Sequence, residues 1–166
     1  MEGGVNPPGD EREGLQVRLP PLTDEELTHF LREGLWVAKI ATHNEDESIR
    51  ITPLEYAVDE DGDIIFSTWE NSDAVRNVHR DSRASVLIDR SDQPHAGVHY
   101  TGQAQTGPET TTPEEHAKLF GRYVGGLEAG ARWYENVISL GLGQRAYIRF
   151  RPATMITWDF GKIQGS

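Results

Sequence analysis

At 166 residues the chain is long enough for one domain with a full hydrophobic core. Its formal net charge of -11 argues against nucleic acid and anionic membranes, whose phosphates demand a basic face. The absence of cysteine excludes disulfides, thiolate zinc sites, iron–sulfur clusters and a cysteine nucleophile. No apolar run approaches membrane-spanning length, and no basic region followed by an apolar run opens the sequence, so a cytoplasmic location is expected.

Residues 1–21 are rich in Gly, Pro and charge and read as a flexible N-terminal arm ending at Pro20-Pro21. One folded domain is expected over residues 22–163. Thr23-Asp24-Glu25-Glu26 has the pattern of a capping box, and Leu27, Phe30 and Leu31 form one stripe of a short amphipathic helix. Gly34 suits a left-handed helix end. Trp36 to Thr42 reads as a strand, and Ile49 to Val58 as a second strand. Pro53 within it removes a ladder donor and marks an edge, a bulge or a close approach to ligand. The Asp59–Asp63 turn is rich in carboxylates, but its Gly62 is misplaced for a calcium loop. A third strand covers Ile64 to Thr68, and Asn71 or Ser72 can cap a helix over Asp73 to His79.

Ala84 to Asp89 and Gly97 to Thr106 read as further strands. Thr112-Pro113-Glu114-Glu115 is a second capping box, with proline at the first helical position. It opens a helix to Val124, and Gly125-Gly126 separates this from a helix over Glu128 to Leu140. Gln144 to Phe150 and Thr154 to Asp159 read as two closing strands joined by a turn at Arg151-Pro152. Consecutive strands without crossover helices imply a mainly β fold, an antiparallel sheet or barrel of about six strands with short flanking helices.

Few segments carry chemistry of their own. Gly141-Leu142-Gly143-Gln144-Arg145-Ala146 matches a dinucleotide fingerprint as a string, but a helix precedes it and a strand follows, the reverse of what that motif needs. The six histidines form no ligand set, and the His95/His99 pair reads as a loop residue and a strand residue. Two polar clusters remain, Arg50-Ile51-Thr52-Pro53-Leu54 within a strand and Ser67-Thr68-Trp69 leading to Ser72 and Arg76 at a helix start. Hydroxyls, arginines and a helix N-terminus together suit an anion. An adjoining apolar sheet surface suits a flat ring, a combination that fits a flavin-type cofactor. Solvated strand and cap residues would give the same pattern.

At these residues the chain resembles the split β-barrel family of pyridoxamine 5'-phosphate oxidase-like proteins. The resemblance runs from Leu22 to Ile163 through strings that are each weak and become specific by their order: Thr23-Asp24-Glu25-Glu26-Leu27, Trp36-Val37-Ala38-Lys39-Ile40-Ala41-Thr42, Ile51-Thr52-Pro53-Leu54, Ile65-Phe66-Ser67-Thr68, Ser72-Asp73-Ala74-Val75-Arg76-Asn77, Arg80-Asp81-Ser82-Arg83-Ala84-Ser85-Val86, Phe150-Arg151-Pro152-Ala153-Thr154 and Trp158-Asp159. It implies an antiparallel split β-barrel that binds FMN or the deazaflavin coenzyme F-420 at a homodimer interface, and a flavin- or deazaflavin-dependent oxidoreductase acting on a small-molecule substrate. By the same resemblance, Arg50, Thr52, Ser67, Thr68, Ser72 and Arg76 would hold the phosphate. Ile51, Pro53, Leu54 and Trp69 would line the ring, and Trp158 and Lys162 would come from the partner subunit. Hydride would pass between cofactor and substrate without a strong protein acid or base.

Many relatives carry a phosphate-holding lysine where this chain has Ala74. That departure keeps open a second class, a barrel that binds a flavin, haem or other tetrapyrrole without turnover, and a third, a dimeric scaffold. No counterpart of the C-terminal substrate-binding set of pyridoxamine-phosphate oxidation is present. The residues do not choose between FMN and coenzyme F-420, although the deazaflavin needs room for a long acidic tail.

Overall fold

The computed structural model describes residues 19–106 and 112–163. Four helices, α1 (Asp24–Glu33), α2 (Asp73–Arg80), α3 (Pro113–Val124) and α4 (Leu127–Ser139), flank the strands β1 (Ala38–His43), β2 (Ile49–Leu54), β3 (Tyr56–Val58), β4 (Ile64–Trp69), β5 (Arg83–Asp89), β6 (Ala96–Thr106) and β7 (Arg145–Asp159). The strands form one seven-stranded antiparallel sheet in the order β2-β1-β5-β6-β7-β4-β3. This is the expected split barrel with flanking helices. Most of the arm expected over residues 1–21 lies outside the described residues. Its last part is pinned: Asp159 N–H donates to the Pro20 carbonyl at 2.8 Å, and Leu22 N–H to Thr157 Oγ1 at 3.0 Å. Among the described residues no helix is long and apolar enough to cross a membrane.

Side-chain alternation sorts every strand into an inner and an outer face. Ile40, Val86, Val98, Ile148 and Phe150 point inward and are fully buried, joined by Tyr56 and Phe66. Both capping boxes form as the sequence predicts, with Thr23 accepting from Glu26 N–H and Thr112 from Glu115 N–H.

Three expectations are corrected. The strand expected over Ile49 to Val58 breaks at Glu55: β2 pairs with β1 and β3 with β4, at opposite edges of the sheet. Pro53 thus lies on an edge strand, where a missing N–H is tolerated. The turn expected at Arg151-Pro152 is absent, because Arg145 to Asp159 is one continuous strand. Thr101 pairs with Thr154 and Gly102 with Pro152, so Ala153 is the extra residue of a bulge, which absorbs the proline and bends the strand. Gly102 permits it, since a Cβ there would lie 2.1 Å from the Arg151 carbonyl oxygen. Gly34 is extended, with φ -69°, rather than left-handed. It is needed because the Trp36 indole folds back over it, donating to the Phe30 carbonyl at 3.2 Å.

The α3–α4 hairpin covers the outer face of β4 and β7. Tyr123 anchors it: its hydroxyl accepts from Tyr56 N–H at 3.0 Å and donates to the Trp36 carbonyl at 3.0 Å. Arg122 reaches the α1 end, donating to the Leu31 and Gly34 carbonyls. The two helices touch backbone to backbone at glycine, and a Cβ at Gly130 would lie 2.1 Å from the Ala117 carbonyl oxygen. Gly130→Ala should therefore lower stability by about 1–3 kcal/mol in urea denaturation, despite alanine's better helix propensity; an unchanged midpoint would refute this packing.

Candidate functional site

β2 approaches β4 where the barrel closes. β4 runs through the Glu70-Asn71 turn into α2, so Arg50 on β2 meets the α2 N-terminus. Arg50, Thr52 and Leu54 share the inward face of β2, opposite Thr42, Ile40 and Ala38. Ser72 caps α2, accepting from Val75 N–H at 3.3 Å, and the buried Thr68 hydroxyl donates to Ser72 Oγ at 3.4 Å. Asp73 opens the helix. Arg50 Nη2 lies 2.9 Å from its Oδ2, while Arg76 pairs with its Oδ1 and also donates to the Asn71 carbonyl. Behind this cluster Asn77 donates to Thr42 Oγ1 at 3.1 Å and to Asn44 Oδ1 at 2.9 Å, fixing the β1–β2 turn to α2. The structure thus brings Arg50, Thr68, Ser72 and Arg76 together. The donor set fits an anion, and the Asp73 carboxylate stands at its centre. Ala74 is packed in the core at 1% exposure and adds no donor.

Ser67 points the other way, under the α3–α4 hairpin. Its hydroxyl oxygen accepts from Arg145 Nη2 at 3.0 Å and Nε at 3.2 Å, and lies 2.8 Å from His116 Nδ1. With both acceptor positions taken by the guanidinium, the Ser67 proton goes to His116 Nδ1, which leaves the imidazole neutral with its proton on Nε2. Burial, assisted by the Arg145 charge, lowers the His116 pKa to about 4. The ring stacks on Tyr134 at 5.3 Å between centroids and meets Tyr147 edge-on at 4.5 Å. Arg145 lies 4.7 Å over the Trp69 ring. Burial pulls its guanidinium below its ordinary value and pushes the Glu55 carboxyl up, and each charge partly offsets the other's shift.

The expected ring-lining residues fall on different faces. Leu54 turns inward against the core, and Trp69 lies with Arg145. Ile51 and Pro53 point outward, in register with a broad open surface. One row runs Pro53, Lys39, Leu87, His99, Ile156, and the next Ile51, Ala41, Ser85, Thr101, Thr154. Ile51 and Ile156 are each 66% exposed. Trp158 pairs with Gly97 at the opposite end of the sheet from Arg50. Lys162 donates to the Pro21 carbonyl at 2.7 Å and pairs with Glu26 of its own chain. The carboxylates of the Asp59–Asp63 turn are engaged: Asp59 accepts from the Asp61 and Asp63 amides and pairs with Arg149, and Asp63 pairs with Arg151 at 3.1 Å.

Sequence reading missed Asp73, His116 and Arg145. Asp73 was legible as a carboxylate between two arginines in a helical register, Arg76 lying one turn on. The Ser67–His116–Arg145 contact joins three distant segments and has no local signature.

Residues 23–159 match the family model of pyridoxamine 5'-phosphate oxidase. The fold is similar to that of the conserved hypothetical protein Rv2991 of Mycobacterium tuberculosis, with a TM-score of 0.72 and 21% identity over 91% of this chain and 92% of that one. An F420 reductase superposes with a TM-score of 0.58 and 19% identity over 77% of this chain and 94% of that one. An FAD-binding protein of Mesorhizobium loti gives a TM-score of 0.57 and 16% identity over 84% and 96% of the two chains. No curated protein matches the sequence.

The neutral His116 makes folding sensitive to pH. Its folded pKa of about 4 lies below the ordinary 6.5. Between those values the unfolded chain binds a proton that the folded chain does not, so its contribution is intact above pH 6.5 and is lost as pH falls toward 4. The loss should reach up to about 3 kcal/mol. His116→Gln keeps a partner for Ser67 and removes the titration, so the difference between the two proteins' urea stabilities should vary across pH 6.5 to 4; a constant difference would show that His116 does not titrate there.

Proposed function

The chain belongs to the pyridoxamine 5'-phosphate oxidase family, and from that membership we propose that it is a flavin- or deazaflavin-dependent oxidoreductase that binds FMN or coenzyme F-420. The observation that carries this reading is the meeting of Arg50 and Arg76 on a carboxylate at the α2 N-terminus, next to the Thr68 and Ser72 hydroxyls, with the exposed apolar side chains of Ile51 and Pro53 on the other face of the same edge strand. The names of an F420 reductase and an FAD-binding protein among structures of the same fold support the cofactor class. When bound, such a cofactor supplies hydride chemistry at its central ring.

The protein's part is binding and orientation. The Arg50 and Arg76 guanidinium groups and the α2 N-terminal dipole neutralise the phosphate. The Thr52 hydroxyl would fix its rotation, while Thr68 and Ser72, bonded to each other and to the cap, would hold the helix start that faces it. Ile51 and Pro53 offer an exposed apolar surface on the outward face of β2, which a second copy would have to cover to keep a tricyclic ring dry. The outward rows through Ile51 and Ile156 expose apolar side chains that a second copy would cover. In the proposed homodimer Trp158 and Lys162 approach the partner's cofactor, and Ser67 acts at one remove by holding Arg145 beside Trp69. A second reading, a cofactor-binding module without turnover, is favoured by Asp73 standing among the phosphate donors and by the lack of a lysine at Ala74. Turnover with NAD(P)H or reduced coenzyme F-420 decides between the two.

Arg50→Ala should weaken cofactor binding about tenfold or more, because a charge-assisted hydrogen bond contributes roughly 1.5–3 kcal/mol; unchanged affinity in a fluorescence titration would remove Arg50 from the site. A paired Ile51→Glu, Ile156→Glu variant should elute as a monomer in light-scattering chromatography where the parent elutes as a dimer. A parent that is itself monomeric would contradict the dimer.

A further inference from the structure

We propose that Asp73 is an internal counter-anion that sets which cofactor phosphate the site accepts, favouring a singly charged phosphodiester over a doubly charged phosphomonoester. The inference rests on the reading of this cluster as the cofactor's phosphate site, and goes beyond it by choosing between the two cofactors.

The carboxylate of Asp73 does what a bound phosphate would do. One oxygen is 2.9 Å from Arg50 Nη2, and the other is held by Arg76. The two arginines come from β2 and from the next turn of α2, and this aspartate is what they share. As the first residue of α2, its carboxylate also meets the positive end of the helix dipole. Ser72 and Thr68 are committed to each other and to the cap. An incoming phosphate therefore has to share or displace a carboxylate.

The local charges decide which phosphate can do so. Two guanidinium groups and one carboxylate leave a net charge of +1 at the cluster. A phosphomonoester such as that of FMN carries nearly two negative charges at neutral pH. It overfills that charge and is repelled by Asp73. The phosphodiester group of coenzyme F-420 carries one and balances it, the carboxylates of that cofactor's long tail lying outside this local count. Ala74 cannot alter the balance, since it is buried in the core. The side chains of Asp73, Arg50 and Arg76 are 41%, 45% and 59% exposed, so the ion pairs are weak and exchangeable, and the carboxylate tunes affinity without sealing the site.

The test is a fluorescence titration of the full chain and of Asp73→Asn with FMN, coenzyme F-420 and riboflavin, which lacks phosphate. Asp73→Ser, which also suits a helix start, serves as the second variant, and thermal melts confirm folding. The parent should bind coenzyme F-420 more tightly than FMN. Removing the charge should tighten FMN binding about tenfold or more, equivalent to 1.4 kcal/mol. It should tighten coenzyme F-420 binding several-fold less and leave riboflavin unchanged. Equal gains for both cofactors, a gain for riboflavin, or no gain for FMN would overturn the proposal while leaving the cofactor reading standing. If no protein in the series bound either cofactor saturably, the cofactor reading would fail and the proposal with it.

Discussion

Between Leu54 and Tyr56 the chain crosses from one edge of the sheet to the other. β2 is bonded to β1 at one edge and β3 to β4 at the opposite edge, with Glu55 alone between them. A one-residue link cannot span a flat seven-stranded sheet, whose strands lie about 4.8 Å apart. The sheet must therefore curl until its edges meet. That curling brings β2 over β4, lets Arg50 reach Asp73, and sets Glu55 within electrostatic reach of Arg145. The bulge at Ala153 serves the same geometry, bending the long β7 while its first half stays paired with β4 and its second half continues along β6.

Closure separates two polar environments that adjoin along β4. Thr68 faces the barrel end and an exposed cluster in which charges exchange partners easily. Ser67, its neighbour in sequence, faces the α3–α4 hairpin and a buried cluster in which an arginine, a neutral histidine and a hydroxyl are locked by aromatic rings. The first arrangement suits reversible binding of an anion. The second suits rigidity: it fixes Trp69 and the β4–α2 turn, and so the direction in which the α2 N-terminus points.

The fold was legible wherever local chemistry decides it. Thr23 and Thr112 announce their helices three residues ahead of the glutamate that completes each cap, and Ser72 announces α2 through its own hydroxyl, which accepts from Val75 N–H. The alternation of β1 and β5 and the apolar run that opens β4 need no tertiary information. What failed depends on distant partners. Nothing near Glu55 says that its two flanking strands belong to opposite edges, and Pro152 reads as a turn residue unless the bulge opposite Gly102 is known. Gly34 reads as a left-handed helix end, whereas it caps α1 in an extended conformation and the Trp36 ring occupies the space of its missing Cβ. Of the site, Arg50, Ser72 and Arg76 were found because hydroxyls and arginines near a helix start are a local pattern. Arg145 and His116 were not, because their meeting at Ser67 is made by sheet register and helix packing.

The central claim is that the α2 N-terminus and the inward face of β2 hold the phosphate end of a flavin-type cofactor. Amide hydrogen exchange, read by mass spectrometry with and without saturating FMN or coenzyme F-420, tests it most directly. Exchange should slow in peptides covering Arg50 to Leu54 and Thr68 to Asn77 with at least one of the two cofactors. Protection confined to another surface, such as the pocket between α1, Trp36 and Arg90, or no protection with either cofactor, would contradict it.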